Sequence, residues 1–406
     1  MKFYNKAFFL AALLAFGAKA QPMAEKDWTV LVFLNGNNNL DSFGPEDINE
    51  MEKVGSTDKV NVVVEWGSYS ERKVKRLLVT KDENTEVVSS PIIQDLGLRD
   101  MGSYKEFVDF VTWGMKNFPA KHYLVDIWNH GNGWEKGMRR SLINRDASYD
   151  DISGNRITTE QMGIAMAEIK NKIGRNVDIL GFDACLMAMA EVAGEVADSV
   201  DYLVGSEDLE PGDGWPYDDF LSAIHKSDVL GSPRMVAGAL VEAYANSYEG
   251  GSQGTSSVTL SSFDLNALRN SYGVFKNFAD ALNVVASSNP KLLLTAVRNS
   301  KSFYVSEYRD LGSFLDEVQG QDFGVDRAVV SALASQLKEI VTANRGTGYF
   351  DSVQGLSITL PSSSYFWSSY GSRYVGFKFD QATGWSKWIE NLATFQGIDD
   401  SLASRY

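Results

Sequence analysis

Short apolar runs rich in β-branched residues recur along this chain, and the stretches between them carry apolar residues at helical spacing. Runs at 28–34, 60–64, 76–80, 122–128, 177–182 and 202–205 read as strands, several of them ending in Gly or Asn turn signals. Ser103 is placed to cap a helix reaching about residue 117, with Phe107, Val108, Val111 and Met115 on one face and Pro119 stopping it. Thr158 and Gln161 match a capping box that opens a second helix, to about residue 172. Residues 186–197 read as a nearly all-apolar helix. Strands alternating with helices specify an α/β architecture with a largely parallel sheet. Further on, helices are predicted at 235–247, 265–282 and 328–342, and strands at 258–260 and 356–360. The Gly/Ser-rich stretch 250–257 is the best candidate for a flexible joint. A length of 406 residues allows one large domain or two intimate ones.

The first twenty residues stand apart. Lys2 and Lys6 precede an uncharged apolar run, and Ala18-Lys19-Ala20 reads as a small-x-small cleavage site. This is the pattern of a secretory signal peptide, and the run is too short for a comfortable membrane span. Its removal takes three lysines and no acidic residue, moving the net charge from -15 to -18. No later segment approaches the ~18 uninterrupted apolar residues of a membrane helix, so no membrane insertion is expected after signal removal. The acidity argues against nucleic acid as a partner and is compatible with a basic substrate, although it also simply keeps an exported protein soluble.

There is a single cysteine, Cys185, and there are three histidines. An exported chain with one cysteine has no internal disulfide, and a free thiol in an oxidising compartment tends to persist where its reactivity is used. In open parallel sheets, sites gather outside the carboxyl ends of the strands. His130 leaves the 122–128 strand into a glycine-rich loop, and Cys185 follows the 177–182 strand where a helix is predicted to start. A helix N-terminus there favours the thiolate. His122 lies at a strand start, and His225 in a polar helical stretch. His130 and Cys185 are therefore the candidate catalytic pair, with backbone N–H groups at Gly131 and Cys185 as the oxyanion hole. Zinc is not expected, because one cysteine and scattered histidines give no tetrahedral ligand set.

The residues at this site also carry a family resemblance. Asn129-His130-Gly131 with Gly133-Trp134, and Asp183-Ala184-Cys185-Leu186-Met187 with Glu191, resemble the clostripain family of cysteine peptidases. Weaker matches at Ser206-Glu207, 211–215, 260–265, 310–312 and 355–358 extend the resemblance over residues 28–360. It implies a caspase-like three-layer sandwich, its mostly parallel central sheet flanked by helices, with a C-terminal α/β extension. The implied division is a signal peptide at 1–20, a catalytic domain at 21–265 and a C-terminal subdomain at 266–406 that completes the fold. One departure is the run at 35–40, where Gly36-Asn37 stand in place of an expected acidic residue.

The resemblance further implies cleavage after Arg, sometimes Lys, and an acidic S1 pocket floored by the residue two before the cysteine, here Asp183. A carboxylate suits that role through its paired bonds to guanidinium, although an Asp at this position also fits a helix cap. Glu207 and Asp208 are further S1 candidates. Activation by self-cleavage after a basic residue is implied in the long polar stretch after His130, with Arg145 first, then Arg140 and Arg139. The dyad chemistry requires no cofactor. Calcium stays open because Asp146, Ser148, Asp150 and Asp151 offer closely spaced oxygens, though the EF-hand glycine is not in place. Expected partners are protein or peptide substrates with Arg or Lys, and the sequence sets no oligomeric state. A peptide ligase on the same scaffold, or an inactive exported binding protein with this fold, are the alternatives.

Overall fold

The computed structural model describes residues 24–134, 146–225, 229–321 and 324–403. The expected signal segment 1–20 and Arg139, Arg140 and Arg145 lie outside the described residues. The strands that build or abut the sheet run, in chain order, β1 (Lys26–Gly36), β2 (Val60–Ser68), β3 (Lys73–Leu78), β4 (Ile92–Gly97), β5 (Ala120–Trp128), β6 (Val177–Asp183) and β7 (Val200–Gly205). They continue with β8 (Glu249–Gly251), β9 (Gly254–Thr255), β10 (Thr259–Asp264), β11 (Tyr308–Asp310), β12 (Val341–Gly346) and β13 (Ser357–Thr359). A nine-stranded sheet has the order β12-β10-β7-β6-β5-β1-β2-β3-β4. Its centre, β7-β6-β5-β1-β2, is parallel, and the outer pairings are antiparallel.

Alternation along β1 explains the layers. Leu31 and Phe33 enter one core, whereas Trp28, Val30, Val32 and Leu34 enter the other. A strand apolar on both sides must be covered on both faces. Helices α1 (Phe43–Val54), α5 (Tyr217–Ile224) and α6 (Pro233–Tyr248) cover one face. The other face takes α2 (Tyr104–Asn117), α3 (Thr159–Ile173), α4 (Ala190–Val196) and α7 (Leu265–Ser288). The same layer continues through α8 (Pro290–Asn299), α9 (Leu311–Gly320), α10 (Arg327–Ile340), α11 (Ser364–Tyr374), α12 (Lys378–Thr383) and α13 (Ser386–Ala403). Residues 266–406 thus contribute a helical layer and also the edge strand β12 of the main sheet.

Local signals account for several boundaries. The Ser103 side chain caps α2 by accepting from the Lys105 amide, and the Thr158/Gln161 capping box is formed at α3. Asp264 closes β10 and caps α7, accepting from the Asn266 and Ala267 amides. The stretch at 250–257, expected as a flexible joint, instead holds the β8–β9 hairpin, tied to the end of α6 by Gln253 N–H to Ser247 O and Ser256 N–H to Tyr248 O.

The strand order reverses between β1 and β5: β1 leads to β2 on one side, while β5, β6 and β7 follow on the other. The loops leaving β1 and β5 must therefore separate and open a crevice at the carboxyl end of the sheet, the usual place for a site in such folds.

Candidate active site

Three loop ends meet at that crevice. The register Trp128↔Asp183 between β5 and β6 places His130 and Cys185 each two residues beyond a paired position. Gly131 then lies directly against the cysteine backbone. A Cβ there would collide with the Cys185 carbonyl oxygen and come within 3.0 Å of its amide nitrogen, so only glycine fits. No backbone carbonyl among the described residues takes the N–H groups of Gly131 or Cys185.

The asparagine run after β1 carries the histidine loop. Asn39 Oδ1 lies 2.9 Å from His130 Nε2. An amide oxygen only accepts, so this contact puts the ring proton on Nε2 and leaves Nδ1 as the basic nitrogen. Asn35, Asn37 and Asn38 are buried beneath. Asn129 Nδ2 donates to Asn35 O at 2.6 Å, and Asn129 Oδ1 accepts from Tyr149 N–H at 2.9 Å. The other two histidines are engaged elsewhere. His122 Nδ1 meets Asp178 Oδ1 at 2.7 Å, and His225 Nε2 meets Thr57 Oγ1 at 3.0 Å.

Cys185 does not start a helix, contrary to the sequence expectation. β6 ends at Asp183, Leu186 turns the chain with φ +64, and α4 begins only at Ala190. The intervening residues form a turn and an irregular segment that bonds sideways instead of coiling. Leu186 N–H donates to Asp208 O at 3.0 Å, Ala188 N–H to Ser206 O at 2.9 Å, and Ser357 N–H to Ala188 O at 2.9 Å. No helix dipole therefore acts on the thiol. Burial instead pushes the Cys185 thiol up, with the Glu210 amide at 3.3 Å opposing and the charges of Asp208 and Asp183 reinforcing the rise. The resting side chain is a thiol that needs a base.

Below the thiol lies a group of buried acids. Asp183 Oδ2 accepts from Trp215 N–H at 3.2 Å and from the Tyr217 hydroxyl at 3.0 Å. The same hydroxyl lies 2.7 Å from Asp126 Oδ2, while Asp126 Oδ1 accepts from the Asp183 amide at 3.2 Å. The buried Glu210 carboxyl lies in reach of Asp183 and can donate to it only when protonated, and Asp47 accepts from the Trp128 ring N–H. Gly214 leaves room for Asp183, since a Cβ there would sit 2.9 Å from Oδ1. Burial pushes Asp183 up to about 6, against hydrogen bonds from Glu210, Trp215 and Tyr217 that pull it down. Burial and the Asp183 charge push Asp126 up to about 8. Burial and the same charge raise Asp47 and Glu210 well above the carboxylate range. Among the described residues no lysine or arginine relieves any of the four. Carboxyls this close cannot all ionise, so the group must hold protons or gain a cation.

The other S1 candidates sit differently. Glu207 is fully buried with its carboxyl beside that of Asp310, and burial and that neighbour push it well up. Asp208 is half-buried, with Oδ1 accepting from Tyr304 N–H at 2.8 Å. Of the calcium candidates, Asp146 is held by Arg156 at 3.0 Å and Arg373 at 3.4 Å. Asp150 accepts from Asn37 Nδ2 and from the amides of Met101, Ile152 and Ser153, and Ser148 Oγ bonds with Asn35 and Met101 O. Among the described residues no group of three or more His, Cys, Asp or Glu side chains is arranged to hold a metal.

Sequence reasoning missed Asn39, Asp126, Glu210 and Tyr217. Asp126 carried a signal: a lone acid inside an apolar strand is buried at a cost and calls for an explanation. Asn39 lay in the run already noted as unusual. Glu210 and Tyr217 become visible only once the loop after β7 folds back over β6.

Comparison with known proteins places this arrangement. The sequence profile of the clostripain family matches residues 32–392. Clostripain of Hathewaya histolytica is 29% identical over 227 residues, which cover 48% of this chain and 42% of that protein. The chain thus spans less than half the length of the curated relative it matches. Among solved structures, a secreted C11 cysteine protease from Bacteroides thetaiotaomicron, in complex with an irreversible peptide inhibitor, aligns with a TM-score of 0.65 at 22% identity, covering 89% of this chain and 99% of that one. An inactive zymogen C11 protease from Parabacteroides distasonis aligns with a TM-score of 0.65 at 17% identity over the same shares. At these identities the structural likeness speaks for the fold, a caspase-like α/β sandwich.

Proposed function

The chain belongs to the clostripain family, and on that premise we propose that it is an exported cysteine endopeptidase cleaving after Arg, and secondarily Lys, through Cys185 and His130. The observation that carries the specificity is the set of buried acids beside the thiol, with no cation among them in the described residues. A P1 guanidinium supplies the missing charge, and Asp183 is its first partner, with Glu210 beside it. Asp208 also acts on the thiol but is engaged by the Tyr304 amide, and Glu207 faces Asp310 instead.

In the proposed reaction, His130 Nδ1 takes the Cys185 proton while Asn39 holds Nε2. The thiolate attacks the scissile carbonyl carbon, and the oxyanion receives the N–H groups of Gly131 and Cys185. The C–N bond breaks as His130 returns its proton to the leaving amine. Water, deprotonated by the same imidazole, then hydrolyses the thioester. Activation by internal cleavage after Arg145, Arg140 or Arg139 belongs to this reading, since these basic residues follow the catalytic histidine. Export rests on the N-terminal pattern, and no helix among the described residues is long and apolar enough to cross a membrane. The bond-breaking steps draw on no cofactor, and calcium is a variable of the test below.

The test is cleavage of fluorogenic peptides ending in Arg, Lys or Asp by the mature protein and its Cys185→Ala variant, with chain mass followed in parallel. Arg cleavage lost in the variant, with the wild type split between 139 and 145, supports the whole reading. No turnover and an intact chain, with or without calcium, replaces it with an inactive binding protein. Product joined to an added amine indicates a ligase.

A further inference from the structure

Trp134 and Asp146 are the last described residue before the stretch 135–145 and the first after it. One guanidinium holds both. Arg373, on α11, donates through Nη1 to the Trp134 carbonyl oxygen and reaches Asp146 Oδ1 at 3.4 Å. Its Nε and Nη2 grip Glu160 of α3 at 2.7 and 2.6 Å. Burial opposes ionisation of Glu160, but the Arg373 bond and charge, with hydrogen bonds from its own amide and Thr158, together outweigh it and hold the carboxyl at about 2. The Trp134 ring is fully buried. Phe366, Tyr374 and Phe377 pack edge-on to it, with centroids at 5.8, 5.4 and 5.4 Å, and its ring N–H donates to Thr359 Oγ1 at 2.8 Å.

Both ends have further holds: Thr159 Oγ1 donates to Gly133 O at 3.2 Å and the Tyr308 hydroxyl to Asn132 O at 3.2 Å, but among the described residues Arg373 alone joins the two ends. Asp146 is also held by Arg156, and the residues after it are tied down through Ala147–Ile157 and Asn35, Asn37 and Asn129. On the other side, Trp134 lies four residues from His130, at the end of the loop that carries the histidine. In an intact chain this loop is held from both directions. A cut between 134 and 146 turns it into a C-terminal tail, and such tails fray unless tied down.

We infer that Trp134 and Arg373 form an anchor that keeps His130 in place once the chain has been cut, making Arg373 a positioning residue for the cleaved enzyme. The inference rests on internal cleavage as proposed above, so its test supplies the cut independently. Cys185→Ala protein carries the recognition sequence of a site-specific processing protease between Arg140 and Ser141. Amide hydrogen exchange is measured over 129–134 before and after cutting, with Arg373 and with Arg373→Gln. Cutting alone leaves exchange unchanged, and Arg373→Gln in the uncut chain raises it slightly. The two together raise it about tenfold, the scale of a lost charge-assisted hydrogen bond. Exchange that rises fully on cutting with Arg373 present, or a cut Arg373→Gln chain no different from the uncut one, overturns the inference. Trp134→Phe, which keeps the ring packing and loses the bond to Thr359, gives a smaller change in the same direction and serves if Arg373→Gln does not fold. In cleaved protein retaining Cys185, Arg373→Gln lowers kcat with KM unchanged and Arg373→Lys restores part of it. Neither exchange measurement needs peptidase activity, so failure of the activity reading leaves this result interpretable.

Discussion

Asp183→Asn is expected to move activity and stability in opposite directions. A guanidinium bound at a buried carboxylate loses about 3–5 kcal/mol when its partner is removed. At about 1.4 kcal/mol per decade this is roughly 10²- to 10³-fold or more in kcat/KM for an Arg peptide. Glu210, in reach of Asp183, remains to take part of the charge, so the loss sits near a hundredfold. The fold responds the other way. A carboxyl whose folded pKa is raised binds its proton more tightly in the native state. Its stabilising contribution is therefore complete below the unfolded value and is lost as pH rises through the folded one. For Asp183, lifted to about 6, the shift of roughly 2 units corresponds to about 3 kcal/mol withheld above that pH. Asparagine keeps an acceptor for Trp215 and Tyr217 without the charge, at the expense of a poorly matched amide. The expected net gain is about 1–2 kcal/mol at pH 8, vanishing near pH 4. Steady-state cleavage of Arg and citrulline peptides, which differ in charge but little in shape, gives the first readout, and thermal melts at pH 4 and 8 the second. An unchanged Arg/citrulline ratio, or a variant less stable than wild type at pH 8, refutes the assignment of Asp183 as an uncompensated partner for the substrate cation.

Three further outcomes follow from the same contacts. Asn39→Ala removes the hold on His130 Nε2 and is expected to lower kcat about 10- to 100-fold with little change in KM, read from steady-state kinetics. Glu210→Gln removes the second carboxyl and is expected to shift preference from Arg towards uncharged P1 residues, measured as the ratio of kcat/KM values for paired peptides, while the amide that meets the thiol is untouched. For Arg peptides, kcat/KM in the wild type is expected to rise with pH through about 6 as Asp183 ionises, and Asp183→Asn is expected to lose that limb while keeping the one due to the dyad.

Much of the frame was legible because its signals are local. Strands buried on both faces are continuous apolar runs, and capping residues such as Ser103 and Thr158 announce helices within one turn. The α/β class followed from those signals, and His130 and Cys185 from the single cysteine and the strand ends. What was not legible depends on sideways bonding. The apolar run at 186–197 has helical composition, yet its first residues pair with Ser206 and Ser357, and a hydrogen bond to a residue 169 positions away leaves no trace in local periodicity. The asparagines at 35–39 looked like a plain turn. Their partners lie at 129–151, beyond any window a turn signal spans.

The acids below the thiol also bear on how the nucleophile forms. In the free protein Cys185 is held as a thiol by burial, and the charges of Asp183 and Asp208 add to that. A negative field at the sulfur disfavours a second negative charge, so the free enzyme is poorly armed. On the proposed reading, a P1 guanidinium neutralises Asp183 and weakens the repulsion at the moment the substrate is in place. Substrate charge then favours ionisation of the thiol as well as binding, and truncating it lowers kcat along with affinity. A small alkylguanidinium that fills the pocket without covering the sulfur is accordingly expected to speed alkylation of Cys185 by iodoacetamide and to shift its pH profile downwards, by about one unit if a single close charge is cancelled. The same compound is expected to have a much smaller effect on Asp183→Asn, where only Glu210 is left to hold it. A profile that stays in place with the wild type, while the compound still competes with an Arg peptide, would show that the pocket charge does not reach the thiol and that the acids serve binding alone.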